Sequence, residues 1–71
     1  MSNRMPYPKP ISMDHGCRVS WYTYDNEADA EAASEAAGHN AEIDERMGFD
    51  FGMVVPGYVR KQDDKFIVCI P

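Results

Sequence analysis

The sequence predicts a small α+β fold in which one long helix packs on an antiparallel three-stranded sheet, in the order β-α-β-β. A run of β-branched and aromatic residues alternates over 17–24, as in a half-buried strand. A proline-free, alanine-rich segment covers 27–47, and two apolar segments within 58–70 flank a polar turn. The chain has 71 residues, which is the length of one domain.

The composition predicts a domain whose own apolar core contributes too little stability for it to fold comfortably as a monomer. Hydrophobic residues make up 44% of the chain, but many are alanines, which bury little apolar area. Domains of this size usually depend on a disulfide, a metal or a partner subunit. We therefore expect a homo-oligomer.

Residues 1–16 are predicted to be an extended N-terminal arm, and 17–71 the folded domain. Prolines at every second position from 6 to 10 suit an extended segment without ladder hydrogen bonds. Two alternatives remain open for the arm. It is either a disordered tail, or it packs Met5, Tyr7 and Ile11 over its own sheet or over a neighbour's.

The first predicted strand runs from Cys17 to Tyr24. Its alternation sends two sets of side chains to opposite faces, Cys17, Val19, Trp21 and Thr23 to one and Arg18, Ser20, Tyr22 and Tyr24 to the other. One helix covers only one face of such a sheet. We expect Tyr22 and Tyr24 on the other face, as an aromatic binding surface that the arm or a second subunit covers.

The predicted helix begins after a cap at Asp25 or Asn26 and ends before Gly48, which suits the C′ position. Gly38 costs about 1 kcal/mol relative to alanine and predicts a kink or a break. Segment 25–50 holds nine acidic residues against Arg46, a balance of −8, so most of the acidity belongs to this helix.

The C-terminal part reads as a glycine-bounded loop followed by a hairpin. Residues 53–55 could add a short strand before the turn signal at Pro56-Gly57. The hairpin pairs 58–61 with 65–70 across a polar turn. The last strand is apolar on both faces, which predicts a central place in the sheet.

The sequence predicts no active site, no cofactor and no metal centre. His15, Cys17, His39 and Cys69 are suitable ligand types, but they lack the paired spacing of metal sites. Neither histidine stands in a catalytic relation to Cys17. No stretch has the length of a signal peptide core or a membrane span. We expect a cytoplasmic protein with two reduced thiols, the alternative being one disulfide.

The charge disfavours direct nucleic-acid binding, because phosphate contacts need a basic surface. The acidic helix is either a solvated face or a mimic of a phosphate backbone. Candidate partner-binding residues are Tyr22, Tyr24, Glu31, Glu35 and Glu42. An alternative site for a phosphate-bearing ligand comprises Arg18, Phe49, Phe51, Tyr58, Arg60 and Lys61. The opposing interpretation is that the two phenylalanines fill the core.

The motif Gly-Phe-Asp-Phe-Gly-x-x-x-Pro-Gly at 48–57 and the ending Phe-Ile-Val-Cys-Ile-Pro at 66–71 resemble small uncharacterised proteins of actinobacterial phages, over about residues 17–71. The resemblance implies action by binding a host factor or an immune-signalling molecule. It transfers no catalytic residue. The leading hypothesis is a non-enzymatic protein that binds and modulates a host protein. The alternatives are an oligomeric module that sequesters a nucleotide signal, and a minor structural component of the virion.

Overall fold

A computed structural model describes residues 3–71 and shows one helix packed on a four-stranded antiparallel sheet. The elements are β1 (Ser12–His15), β2 (Ser20–Tyr24), α1 (Glu27–Arg46), β3 (Val59–Gln62) and β4 (Lys65–Ile70). The strand order is β1-β2-β4-β3. The predicted α+β class is confirmed. The predicted number of three strands is wrong, because β1 forms inside the predicted arm.

The additional strand β1 pairs with β2, with Ser12 opposite Thr23. The pairing begins after the last proline of the arm, where the Ile11 N–H donates to the Thr23 carbonyl at 2.8 Å. From this point on every backbone N–H can join a ladder. The arm therefore does make ladder hydrogen bonds over its last part, contrary to the prediction for 1–16. Residues 1 and 2 of that range lie outside the described residues.

The turn between β1 and β2 occupies the positions where the first strand was predicted to begin. The Gly16 N–H donates to the Val19 carbonyl at 2.8 Å and closes this turn. As a result β2 begins at Ser20 rather than at Cys17.

Helix α1 has the limits that its capping residues predict. The Asn26 side chain accepts a hydrogen bond from the Asp29 N–H at 2.8 Å, and Met47 ends the helix. Gly48 follows with a φ of +91°, a conformation that glycine adopts without strain. The helix continues unbroken through Gly38, so the break that was one of the two predicted alternatives is absent.

Alanines form most of the buried face of α1, which allows the helix to lie close to the sheet. The buried helix residues are Ala30, Ala33, Ala36, Ala37, Asn40 and Ala41. Three of these alanines join Tyr24, Val68 and Ile70 in the main core cluster, with Tyr7, Tyr22, Val59 and Phe66 packed around it. The core is therefore built from large side chains on the sheet and small ones on the helix.

Tyr22 and Tyr24 lie in this core between sheet and helix, so the prediction that they lie on the face opposite the helix is wrong, whereas the arm does contact both of them as expected. Tyr24 is only 1% exposed, and its hydroxyl donates to the Pro8 carbonyl at 2.8 Å. The Tyr22 ring meets the Tyr7 ring edge-on, at 5.7 Å between centroids. The strand pattern identifies two faces correctly, but the helix covers the opposite one from that expected.

Tyr24 gives the fold a measurable sensitivity to alkaline pH. Desolvation raises the pKa of the Tyr24 phenol from 10.0 to about 12, with smaller contributions from Tyr22 and Asp29. Above pH 10 the unfolded chain ionises this phenol while the folded chain keeps its proton, so stability falls as pH rises from about 10 to about 12. We expect Tyr24→Phe to be less stable at neutral pH and to show a shallower loss over this range. Urea unfolding at a series of pH values measures both effects, and an unchanged slope would contradict the assignment.

The arm packs on its own helix and sheet through Tyr7, whereas Met5 and Ile11, which were also expected to pack, are 36% and 53% exposed. Arg4 forms an ion pair with Asp44 near the end of α1. The buried Asn40 side chain then holds the backbone of Met5 and the hydroxyl of Tyr7. The arm thus follows α1 back toward β2 and closes one side of the core.

The C-terminal hairpin forms with a tight turn in which Asp63 takes a φ of +57°. Strand β4 pairs with β2 on one side and β3 on the other, so its predicted central position is confirmed. Residues 53–55 form no strand, because the chain turns at Pro56-Gly57 before β3 begins.

Candidate functional site

The face of the sheet that points away from α1 forms the first candidate site. The cross-strand register places Asp14, Trp21 and Cys69 on this face, and it does the same for Ser12, Thr23, Ile67 and Arg60. Cys69 is fully buried there against Val19, Ala41 and Phe51, whereas Trp21 and Ile67 are partly exposed and Asp14 and Arg60 are exposed. Here the surface forms a cleft of about 240 Å³, lined by Asp14, Trp21, Arg60 and Ile67. We call this the open-face cleft.

The open-face cleft has an apolar middle and opposite charges at its ends. Asp14 lies on the edge strand β1 and Arg60 on the edge strand β3, with Trp21 and Ile67 on the two strands between them. Three strand spacings separate the edges, a distance of roughly 14 Å between backbones. The Arg60 guanidinium donates to Gln62 Oε1 at 2.8 Å, and within the described chain neither Asp14 nor Arg60 forms an ion pair.

The loop of residues 47–58, which joins α1 to β3, forms the second candidate site. It carries five of the eight large apolar side chains that are exposed among residues 3–71, namely Met47, Phe49, Met53, Val55 and Tyr58. Met53 is fully exposed. Singly exposed apolar residues are ordinary, but a concentration of them in one short segment marks an interaction surface. We call these five side chains the apolar loop surface.

The base of this loop is fixed to the rest of the molecule. Phe51 is buried in a second core cluster with Val19, Ala41 and Cys69. The Gly57 N–H donates to the Cys69 carbonyl at 2.8 Å, and the Ser34 hydroxyl donates to the Gly57 carbonyl. The exposed side chains therefore project from a backbone that is held at both ends and in the middle.

The structure does not bring the six predicted ligand-binding residues together. Arg60 lines the open-face cleft, whereas Lys61 points to the other face of β3, with Nζ 5.9 Å from the Phe66 ring centre. Phe51 is buried and Phe49 packs against it at 4.6 Å between ring centroids. The remaining two lie near the loop, where Arg18 donates to the Asp50 carbonyl and Tyr58 is more than half exposed.

The three candidate glutamates lie on the outer side of α1. Glu31, Glu35 and Glu42 are all exposed, and Glu42 pairs with Arg46 at 2.9 Å. Since successive helix residues are rotated by about 100°, the three share one face, opposite the buried alanines. The loop reaches the same helix at Gly57, which approaches Ser34 one turn after Glu31.

The residues that were considered as metal ligands are separate in the fold. Within residues 3–71 no three His, Cys, Asp or Glu side chains come together in a way that could hold a metal ion. Cys17 is exposed and Cys69 buried, and both are free thiols. Burial raises the pKa of the Cys69 thiol, which disfavours the reactive thiolate.

Trp21 is the site residue that the sequence analysis did not select. Its place on the open face follows from the same alternation that misplaced Tyr22 and Tyr24, so the signal was present but was assigned to the wrong side.

Among residues 3–71, no helix combines the length and the apolar character needed to cross a membrane.

Comparison with known proteins found no matching family model, and neither the curated proteins nor the solved structures contained a match.

Proposed function

We propose that this chain is a non-enzymatic interaction protein that binds and modulates another protein, and that the apolar loop surface is its main contact. If the chain is phage-encoded, as the resemblance implies, the partner is a host protein. The observation that carries the proposal is the concentration of exposed apolar side chains in 47–58 on an anchored backbone.

The physical reason is the cost of leaving these side chains in water. Burying apolar surface contributes about 25 cal/mol per Å², so covering several exposed methionine, valine and aromatic side chains favours association. Methionine side chains adapt to irregular apolar pockets because they are unbranched and flexible. The anchored backbone keeps the ordering cost of binding low, which leaves more of this free energy for affinity.

The acidic face of α1 indicates what surrounds the apolar pocket on the partner. Glu31, Glu35 and Glu42 are exposed on the helix from which the loop continues, so a partner with basic residues around its pocket fits best. Charges at the rim of an interface mainly accelerate association and make it sensitive to salt. We therefore expect a complex that forms more slowly as ionic strength rises.

The double variant Met53→Ser/Val55→Ser should lose partner binding while remaining folded. Both side chains are exposed, so their replacement removes contact area from the interface and nothing from the core. We expect affinity to fall by about tenfold or more, which corresponds to about 1.4 kcal/mol. The measurement is photo-cross-linking from position 53 in cells to identify the partner, followed by calorimetry with the purified partner.

Met13→Ser is the matched control, because Met13 is 52% exposed on β1, away from the loop. It should bind as the wild type does. Equal binding by the loop variant and the wild type would overturn the assignment of the contact surface.

A nucleotide-binding module is the second candidate function, favoured by the open-face cleft. A base could stack on Trp21, and Arg60 would meet a phosphate. The cleft volume of about 240 Å³ is below the roughly 300–1,000 Å³ of most small-molecule sites, which makes this the weaker candidate. Heat released on titration with mono- and dinucleotides, and lost in Trp21→Ala, would support it over protein binding.

A further inference from the structure

We infer that the open face of the sheet binds a second copy of this chain in a two-fold symmetric dimer, with Asp14 of each copy paired to Arg60 of the other. This inference does not rest on the proposed function. It uses the open-face cleft, whereas the proposed function uses the apolar loop surface and the outer face of α1.

The two charges that line the open-face cleft are complementary to those of a second copy. A two-fold axis that lies between two facing sheets and runs roughly along their strands places the β1 edge of one copy over the β3 edge of the other. Asp14 on β1 then faces Arg60 on β3 of the second copy, and the pair occurs twice. A face with like charges at both edges would be repelled by its own copy.

The register allows this pairing. Asp14 lies in the cross-strand row of Trp21 and Cys69, and Arg60 in the row of Ile67. The two rows are two residues apart along the strands, a distance of roughly 7 Å. The inclination between packed sheets and the long arginine side chain can bridge that offset.

The middle of the face supplies the apolar contact. Trp21 on β2 and Ile67 on β4 lie between the charged edges, and both side chains are only partly buried in the single chain. The symmetry that exchanges the edges also exchanges β2 with β4, so Trp21 of one copy lies over β4 of the other, the strand that carries Ile67. Stacking on a second sheet would give Trp21 the cover that α1 gives to Tyr24.

The size of the face predicts a weak dimer. Four strands of about five residues measure roughly 19 by 17 Å. The area of this face is therefore well below the ~800 Å² that each partner contributes to a standard interface. We therefore expect association that depends on concentration. In the dimer both copies of α1 remain on the outside, with their acidic faces free for another partner.

A charge-swap experiment tests the inference. Sedimentation velocity of the whole chain, from about 10 µM to about 1 mM, should show a monomer–dimer equilibrium. Asp14→Arg and Arg60→Asp should each raise the dimer dissociation constant about tenfold or more, because each sets like charges against one another. The double variant Asp14→Arg/Arg60→Asp should return the dissociation constant to near the wild-type value.

Recovery in the double variant is specific for contact between copies. Within one chain the two side chains belong to strands roughly 14 Å apart, beyond the screening length of about 8 Å at physiological salt. The controls are Glu45→Arg and Lys61→Asp, which make the same charge changes at exposed positions off the open face and should dimerise as the wild type does.

Three results would overturn the inference. One is a wild-type chain that stays monomeric at about 1 mM. Another is a dimer that both single variants leave intact, because it would use a different surface. The third is failure of the double variant to recover while its circular dichroism matches that of the wild type. Native mass spectrometry that shows a bound small molecule lost in Trp21→Ala would instead assign the cleft to a ligand.

Discussion

Replacing Asn40 with alanine should release the arm from α1 and lower the free energy of unfolding by about 2 kcal/mol. Asn40 is only 2% exposed, and its Oδ1 accepts from the Met5 N–H at 2.7 Å. Its Nδ2 donates to the Met5 carbonyl at 2.9 Å and to the Tyr7 hydroxyl at 2.8 Å. Three hydrogen bonds at about 1 kcal/mol each are lost, and the better helix propensity of alanine offsets about 0.6 kcal/mol.

Amide hydrogen exchange of residues 5–11, together with urea unfolding, measures this effect. We expect the Met5 amide to lose its protection while the amides of β4 keep theirs. Glu35→Ala is the control, because Glu35 is an exposed residue on the outer face of the same helix. Protection of Met5 in the Asn40 variant equal to that in the wild type would show that the arm is held by other contacts.

Release of the arm has a second consequence at Tyr22. The Tyr7 ring packs edge-on against Tyr22 and covers it. In the Asn40 variant this cover is lost, so Tyr22 should become accessible to solvent.

The sequence predicted the elements that have strong local signals. Asn26 caps α1 and Gly48 follows its end, as the cap and C′ preferences require. The two-faced apolarity of 65–70 correctly predicted a central strand, because on each face the side chains of a strand between two others are flanked by those of both neighbours. In each case the deciding residues lie within the element or next to it in the sequence.

The sequence could not determine which face of the sheet α1 covers. The two sets of β2 side chains, Trp21 with Val19 and Tyr22 with Tyr24, are similarly apolar, so alternation alone leaves the choice open. The existence of strand β1 was also not determined by the local sequence. Ser-Met-Asp-His has no strand preference of its own, and these residues become a strand only by pairing with β2.

The candidate site was predictable only in part. The open-face cleft joins residues from four strands whose order depends on long-range pairing, so no local pattern reveals it. One error had a visible signal. Arg60 and Lys61 are neighbours in a strand, and neighbouring strand residues point to opposite faces, so they could not have met in one ligand site.

Two glycines that lie close to each other in the fold should respond to alanine in opposite directions. Gly57 has a φ of +93°, and a Cβ added there would lie 3.0 Å from the Ser34 carbonyl oxygen. Gly57→Ala should therefore destabilise the fold by about 2–3 kcal/mol. Gly38 has a helical conformation and open space for a Cβ, so Gly38→Ala should stabilise the fold by about 1 kcal/mol.

Thermal and urea unfolding of both variants tests this contrast, and each variant is the control for the other. A stability loss from both would mean that α1 and the Pro56-Gly57 turn lie closer together than the structure shows.

The result also bears on function, because Gly57 fixes the end of the apolar loop surface to α1 and to Cys69. Gly57→Ala should therefore weaken partner binding even where the chain remains folded, and Gly38→Ala should not, since only the former displaces the backbone that carries Val55 and Tyr58.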